Sequence, residues 1–202
     1  MSSQVNDQRF WKWLVQHSST LLELPELEIV ELVTTELHSF DADLFAEVSG
    51  ILIPRYRNLV ITSHGRTEKF DRIIRMVSNS PSIPNWNLVA LKPARGFDFC
   101  RDEMELAIRD WRFVTLKRDA RFSSIGLRVE MSQHDLDLVD GQIVSDIVEE
   151  GIGEVLLSAV SHLEFGVFGS MKSFSGNEIG EAIRSWCVLR GPKWMSKYLT
   201  YV

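Results

Sequence analysis

The spacing of apolar and polar positions changes period along the chain. Phe10, Trp13, Leu14, His17 and Leu21 fall at i, i+3, i+4, i+7 and i+11, one face of a helix, and Asp7 is placed to cap its start. Pro25 stands where a first helical turn tolerates it, and Leu27, Val30, Val33 (or Thr34) and Leu37 form a second apolar face. The other sides of that segment carry Glu26, Glu28, Glu31 and Glu36. The spacing predicts a helical hairpin over residues 1–40.

From Leu44 the period shortens to two. Leu44, Ala46 and Val48 alternate, and residues 58–62 form a short apolar run rich in β-branched side chains. Thr67 is placed to cap a helix with Phe70, Ile73, Ile74 and Val77 on one face, and residues 86–91 read as a further strand. Past the loop at 92–99, alternation recurs at Met104, Leu106 and Ile108, at Trp111, Phe113 and Thr115, and at Ile125, Leu127, Val129 and Met131. This predicts antiparallel strands with one wet side. Helical spacing returns over 138–150 and is broken at Gly151 and Gly153. Residues 154–168 read either as a continued helix or as a strand. Asn177 is placed to cap a last helix containing Ile179, Ala182, Ile183 and Trp186. The fold class that follows is α+β: an N-terminal helical hairpin, then a mainly antiparallel sheet with helices packed on one face. One domain over residues 1–202 is expected, with the hairpin at 1–40 a subdomain at most.

Composition narrows the class. The chain has 202 residues, 45% of them hydrophobic and 25% charged, as in an ordinary globular protein. A net charge of −6 argues against a nucleic-acid binder held by phosphate contacts and favours a basic partner. Two cysteines, Cys100 and Cys187, suit a reducing compartment. The N-terminus lacks a signal-peptide run, and no stretch reaches the roughly 18 apolar residues a bilayer requires. A cytoplasmic protein with no membrane segment is expected.

Motifs that commit a chain to one chemistry are missing: there is no GxxxxGK[ST], GxGxxG, HExxH, paired CxxC or GxSxG. No cofactor is implied. The histidines at 17, 38, 64, 134 and 162 lack metal-ligand spacing, so no metal site is expected. His64, beside Gly65 at a strand end, is the histidine best placed for chemistry, although a plain turn residue explains it as well. Cys100, next to Arg101, is a candidate nucleophile against the commoner role of a buried thiol. In the loop at 92–99, Lys92 and Arg95 suit a phosphate or carboxylate, unless Arg95 pairs internally with Asp98 between the anchors Phe97 and Phe99. Asp135, Asp137 and Asp140 lack the offsets of a calcium loop. Trp11 and Trp194 are the tryptophans expected to be partly exposed.

The segment Phe10-Trp-Lys-Trp-Leu14, the strand at 58–62 with its following helix, and the stretch from Leu91 through Lys92-Pro-Ala-Arg-Gly-Phe-Asp-Phe99 together resemble a group of uncharacterised bacterial α+β proteins. Those proteins carry an N-terminal FWxWF-like helix and a KPxxGFDF-like stretch after a strand; Leu14 stands where that pattern has Phe. The resemblance covers most of the chain. It implies a bacterial cytoplasmic accessory role, neutralisation of a toxin among them.

These features converge on a non-enzymatic, protein-binding accessory protein, most concretely an immunity or antitoxin-like protein that occludes a basic toxin domain. Glu26, Glu28, Glu31, Arg95 and Asp98 are its expected contacts. The alternatives are a hydrolase or transferase whose site is dispersed over His64 and the loop at 92–100, and a structural subunit of a larger complex.

Overall fold

The computed structural model describes residues 2–50, 56–97, 106, 108–116, 125–169, 172–190 and 195–199. They fall into two compact units, Met1–Lys92 and Pro93–Val202. No helix among the described residues is long and apolar enough to cross a membrane.

The first unit opens with α1 (Ser2–Leu21) and α2 (Glu26–His38), followed by β1 (Phe45–Gly50), β2 (Arg57–Thr62), α3 (Phe70–Ser78) and β3 (Trp86–Ala90). β1 and β2 pair antiparallel, with Phe45 opposite Thr62. β2 and β3 pair in parallel through the α3 crossover, with Leu59 opposite Leu88. Each helix buries a slightly different stripe from the one its spacing suggests. On α1 the buried residues are Phe10, Trp11, Leu14 and Leu21. Trp11 is therefore core rather than exposed, because its indole finds the Met76 carbonyl at 3.2 Å. His17 turns outward and stacks on Trp13. On α2 the buried stripe is Ile29, Val33 and Leu37, and Leu27 is left 71% exposed. Asp7 lies inside α1 rather than at its cap, facing Arg72 at 3.7 Å; burial raises its carboxyl pKa against the pull of that guanidinium.

A charge network ties the helices of this unit together. Asp41 is buried and accepts two hydrogen bonds from Lys69 Nζ, at 2.9 and 3.0 Å, and one from Arg72. Asp43 pairs with Arg66 and with the same Lys69. Two carboxylates sharing three cations leave none of the buried charge unopposed, which burial demands.

The second unit contains β4 (Arg112–Leu116), β5 (Ile125–Met131), α4 (Gln133–Leu138), α5 (Gly141–Leu157), β6 (Val160–Val167), β7 (Phe174–Ser175) and α6 (Gly176–Arg190). Its sheet runs β6-β5-β4-β7, with β5 and β6 parallel and the other pairs antiparallel. The two readings of 154–168 are both realised in turn, helix to Leu157 and strand from Val160. Leu127, Val129 and Met131 of β5 share a core with Val144, Ile147 and Val148 of α5 and with Ile179 and Ile183 of α6. The expected wet side of β5 is reduced to the partly exposed Arg128, since Gly126 and Glu130 are buried as well. Residues 108–110 form a 3-10 turn instead of extending a strand, and the expected strand position at Met104 lies outside the described residues. Helix starts are well capped. Ser132 accepts from the Asp135 amide and Asp140 from the Ile143 amide, while at the start of α6 it is Ser175, rather than Asn177, whose amide and hydroxyl both donate to the Glu178 carboxylate.

The architecture is thus α+β, with two helices ahead of the strands. The strands divide into two mixed sheets, and of the five pairings among the described residues three are antiparallel.

One close approach organises the second unit. α5 is interrupted at Gly153, whose φ of 80° and ψ of 160° are not helical. That break frees carbonyls one turn earlier, and Glu150 and Gly151 accept from the Arg95 and Gly96 amides, each at 3.0 Å. The docked segment presses Phe97 into the core, 4.5 Å from the Phe113 ring. A β-carbon at Gly151 would lie 2.2 Å from the Phe97 ring, and one at Gly176 would lie 2.5 Å from Phe97 Cβ. Both glycines are required by contact, not by backbone conformation.

Gly151→Ala is therefore expected to destabilise the protein by about 1–3 kcal/mol, the usual cost of overpacking a core. Phe97→Leu should recover part of that loss in the double variant. Urea midpoints of the single and double variants test this; additive losses would mean that the two positions are not in contact.

Candidate functional site

The carboxyl ends of parallel strands are where open α/β arrangements place ligand sites, and β2 and β3 end side by side. Past β2, His64 sits at φ 50°; past β3, Leu91 sits at φ 63°. Left-handed backbone is costly for residues that carry a β-carbon, and it concentrates at functional positions. Local bonds hold both turns: the His64 amide donates to Thr62 Oγ1 at 3.0 Å, and the Leu91 amide to the Ile61 carbonyl at 2.9 Å.

The antiparallel register of β1 brings its first residues to the same end. Phe45 packs against His64 with centroids 4.6 Å apart and the rings tilted by 51°, and His38 meets the Phe45 ring edge-on at 5.1 Å. A Glu47 carboxylate oxygen and a His64 ring nitrogen lie within 4.8 Å of one another. Glu47 also pairs with Lys92 at 3.1 Å. Between these groups and α2 lies an open recess of about 600 Å³, lined by Val30, Glu31, Thr34, Thr35, Phe45, Ala46, Glu47 and His64. Thr34 has a structural task there, since its Oγ1 accepts from the Ala46 amide and holds α2 against β1.

The sequence-derived site residues separate into two groups. Glu28 and Glu31 are exposed on α2 with no partner among the described residues, and Glu31 borders the recess. Glu26 is exposed and pairs loosely with Arg57 at 3.5 Å. Arg95 belongs to the second unit, where Glu150 binds it at 3.0 Å. It therefore pairs with Glu150, and Lys92 with Glu47, so neither cation stands uncompensated for a phosphate. Asp98, Phe99 and Cys100 lie outside the described residues. The acidic residues at 135, 137 and 140 are spent on structure: Asp135 is buried and accepts the Trp111 indole at 3.1 Å, Asp137 accepts Gln133, and Asp140 caps α5.

No family model, curated protein or solved structure matches this chain. Any functional reading therefore rests on the site's own chemistry. Residue spacing could not single out Phe45, Glu47 or Thr34, because their convergence on His64 depends on strand register and on two left-handed turns. Chemically, the recess is lined by an aromatic ring, an imidazole and two carboxylates. That set suits a cationic side chain, held by charge at the edge and by the ring beneath.

Cys187 has no such setting. It is a free thiol buried in α6, and burial pushes its pKa up to about 11. In a Cys100→Ser variant it is expected to react with iodoacetamide about a hundredfold more slowly in native buffer than in urea, the ratio of thiolate that a two-unit rise implies. Equal rates would show that the thiol is accessible in the folded chain.

Proposed function

We propose that the chain is a non-enzymatic accessory protein that binds a basic protein partner through α2 and the recess beside it. Its most concrete form is an immunity or antitoxin-like protein of the bacterial cytoplasm that occludes a toxin. The observation that carries this reading is the exposed carboxylate of Glu31 on a recess lined by Phe45, with Glu28 exposed on the same helix. A lysine or arginine of the partner would insert over the ring, while the surrounding carboxylates steer the encounter. Inhibition would then be steric: the partner's surface is covered, and no bond is made or broken.

Affinity capture from host lysate at low salt is expected to yield a stoichiometric basic chain. Against that partner, the Glu28→Lys/Glu31→Lys double variant should associate on the order of tenfold more slowly, with the difference shrinking as salt is added. An unchanged association rate in surface plasmon resonance would remove this face from the interaction.

A second reading, hydrolase or transferase chemistry, is favoured by the strained His64 and its nearness to Glu47, an arrangement in which a carboxylate can orient an imidazole base. It requires turnover that His64→Gln abolishes while the circular dichroism spectrum stays unchanged. A broad ester, amide and phosphoester screen with no turnover sinks it.

A further inference from the structure

The four-stranded sheet ends on β6, and among the described residues no strand pairs with its outer edge. An open edge presents unpaired backbone N–H and C=O groups, and proteins usually guard it with lysine, proline or a bulge. β6 contains neither lysine nor proline. Its one register irregularity lies at the start, opposite Ile125 and Gly126. From His162 to Val167 the pairing with β5 is regular, and this stretch carries apolar exposure: Phe165 is 38% and Val167 41% exposed, with Phe168 at 49% just beyond.

The two faces of this edge differ. Leu163, Phe165 and Val167 stand beside Leu127, Val129 and Met131 on the core face. Glu164 and Gly166 stand beside Arg128 and Glu130 on the other. Gly166 leaves a gap there, and Arg128 leans into it: Nη2 lies 3.3 Å from where a β-carbon on Gly166 would be. Arg128 Nε is buried and has no hydrogen-bond acceptor among the described residues, its nearest carboxylate being Glu130 at 3.5 Å.

We propose that β6 is a homodimer interface in which the strands of two copies pair antiparallel about a two-fold axis at Phe165, joining their sheets into one. In this register Phe165 meets its own symmetry mate and Leu163 lies opposite Val167, so the apolar face continues across the join. Glu164, whose Oε1 His162 Nε2 contacts at 2.6 Å within its own copy, lies opposite Gly166 of the second copy, and the missing side chain opens a path from its other carboxylate oxygen to Arg128. The edge thus supplies both halves of a charge pair to itself, which is why the occupant is a second copy rather than a foreign strand. Neighbouring registers are poorer. One step toward the strand's start sets Glu164 directly against Glu164, and a further step runs the pairing into the irregularity at its start. One step the other way leaves Glu164 facing Phe168.

Sedimentation velocity on the full chain across a concentration series is expected to show a monomer–dimer equilibrium. Phe165→Lys should weaken it by about 30-fold or more, as loss of a central interface anchor does, with secondary structure retained. Val167→Lys provides the same test should the first variant not fold. In a Cys100→Ser background, Phe165→Cys should form an intermolecular disulfide on mild oxidation, because residue 165 meets itself. A chain that stays monomeric throughout leaves the edge to a strand of some other protein and overturns the proposal. A dimer indifferent to both lysine variants overturns it as well, and a dimer that fails to cross-link at position 165 overturns the register.

Discussion

The second unit hangs on the contact between Phe97 and two glycines. A ring can enter that core only where Gly151 and Gly176 withhold their β-carbons, and it can be delivered there only because α5 breaks at Gly153 and frees carbonyls for the Arg95 and Gly96 amides. Interior packing leaves little slack, so a local break in a helix has to be compensated by new partners for the groups it exposes. Here the compensation is the incoming segment itself. Backbone bonding, side-chain packing and the kink are thus one arrangement, and the β4–β5 core is built around it.

Much of this architecture is legible in the sequence, for reasons that can be stated residue by residue. Helices and strands with strong periods, such as those around Ile29, Phe70, Leu59 and Ile147, emerge near their expected places because burial of one face decides them. The errors are instructive. The α1 stripe includes Trp11 and not His17, because an indole can satisfy its N–H inside the core whereas the imidazole finds its partner on its own helix. β5 is largely buried on its second face too, with only Arg128 partly exposed, which alternation alone does not reveal. Arg95 pairs with Glu150, 55 positions away, and spacing cannot see that distance. The recess is the least legible feature of all. It depends on the register of β1 against β2 and on the positive φ of His64, a conformation uncommon in residues other than glycine and not readable from spacing.

The acidic balance acquires meaning once its members are placed. Asp41 and Asp43 neutralise a buried cluster, Asp135 and Asp140 serve a tryptophan and a helix start, and Glu47 and Glu150 hold Lys92 and Arg95. With those assigned, the net charge of the chain is expressed at its surface by residues such as Glu23, Glu28 and Glu31. Of these, Glu28 stands in the first turn of α2, where with Glu26 it complements the helix dipole, so its position has a structural benefit as well as an electrostatic reach.

The two left-handed turns at His64 and Leu91 have one more effect. They stop β2 and β3 at a common level by backbone geometry, without relying on the bulk of any particular side chain. A cavity whose rim is fixed in this way keeps its shape while its lining varies. Changes at Val30, Glu31 or Thr35 would retune what the recess accepts without remodelling it, so selectivity can drift through single substitutions on an unchanged scaffold.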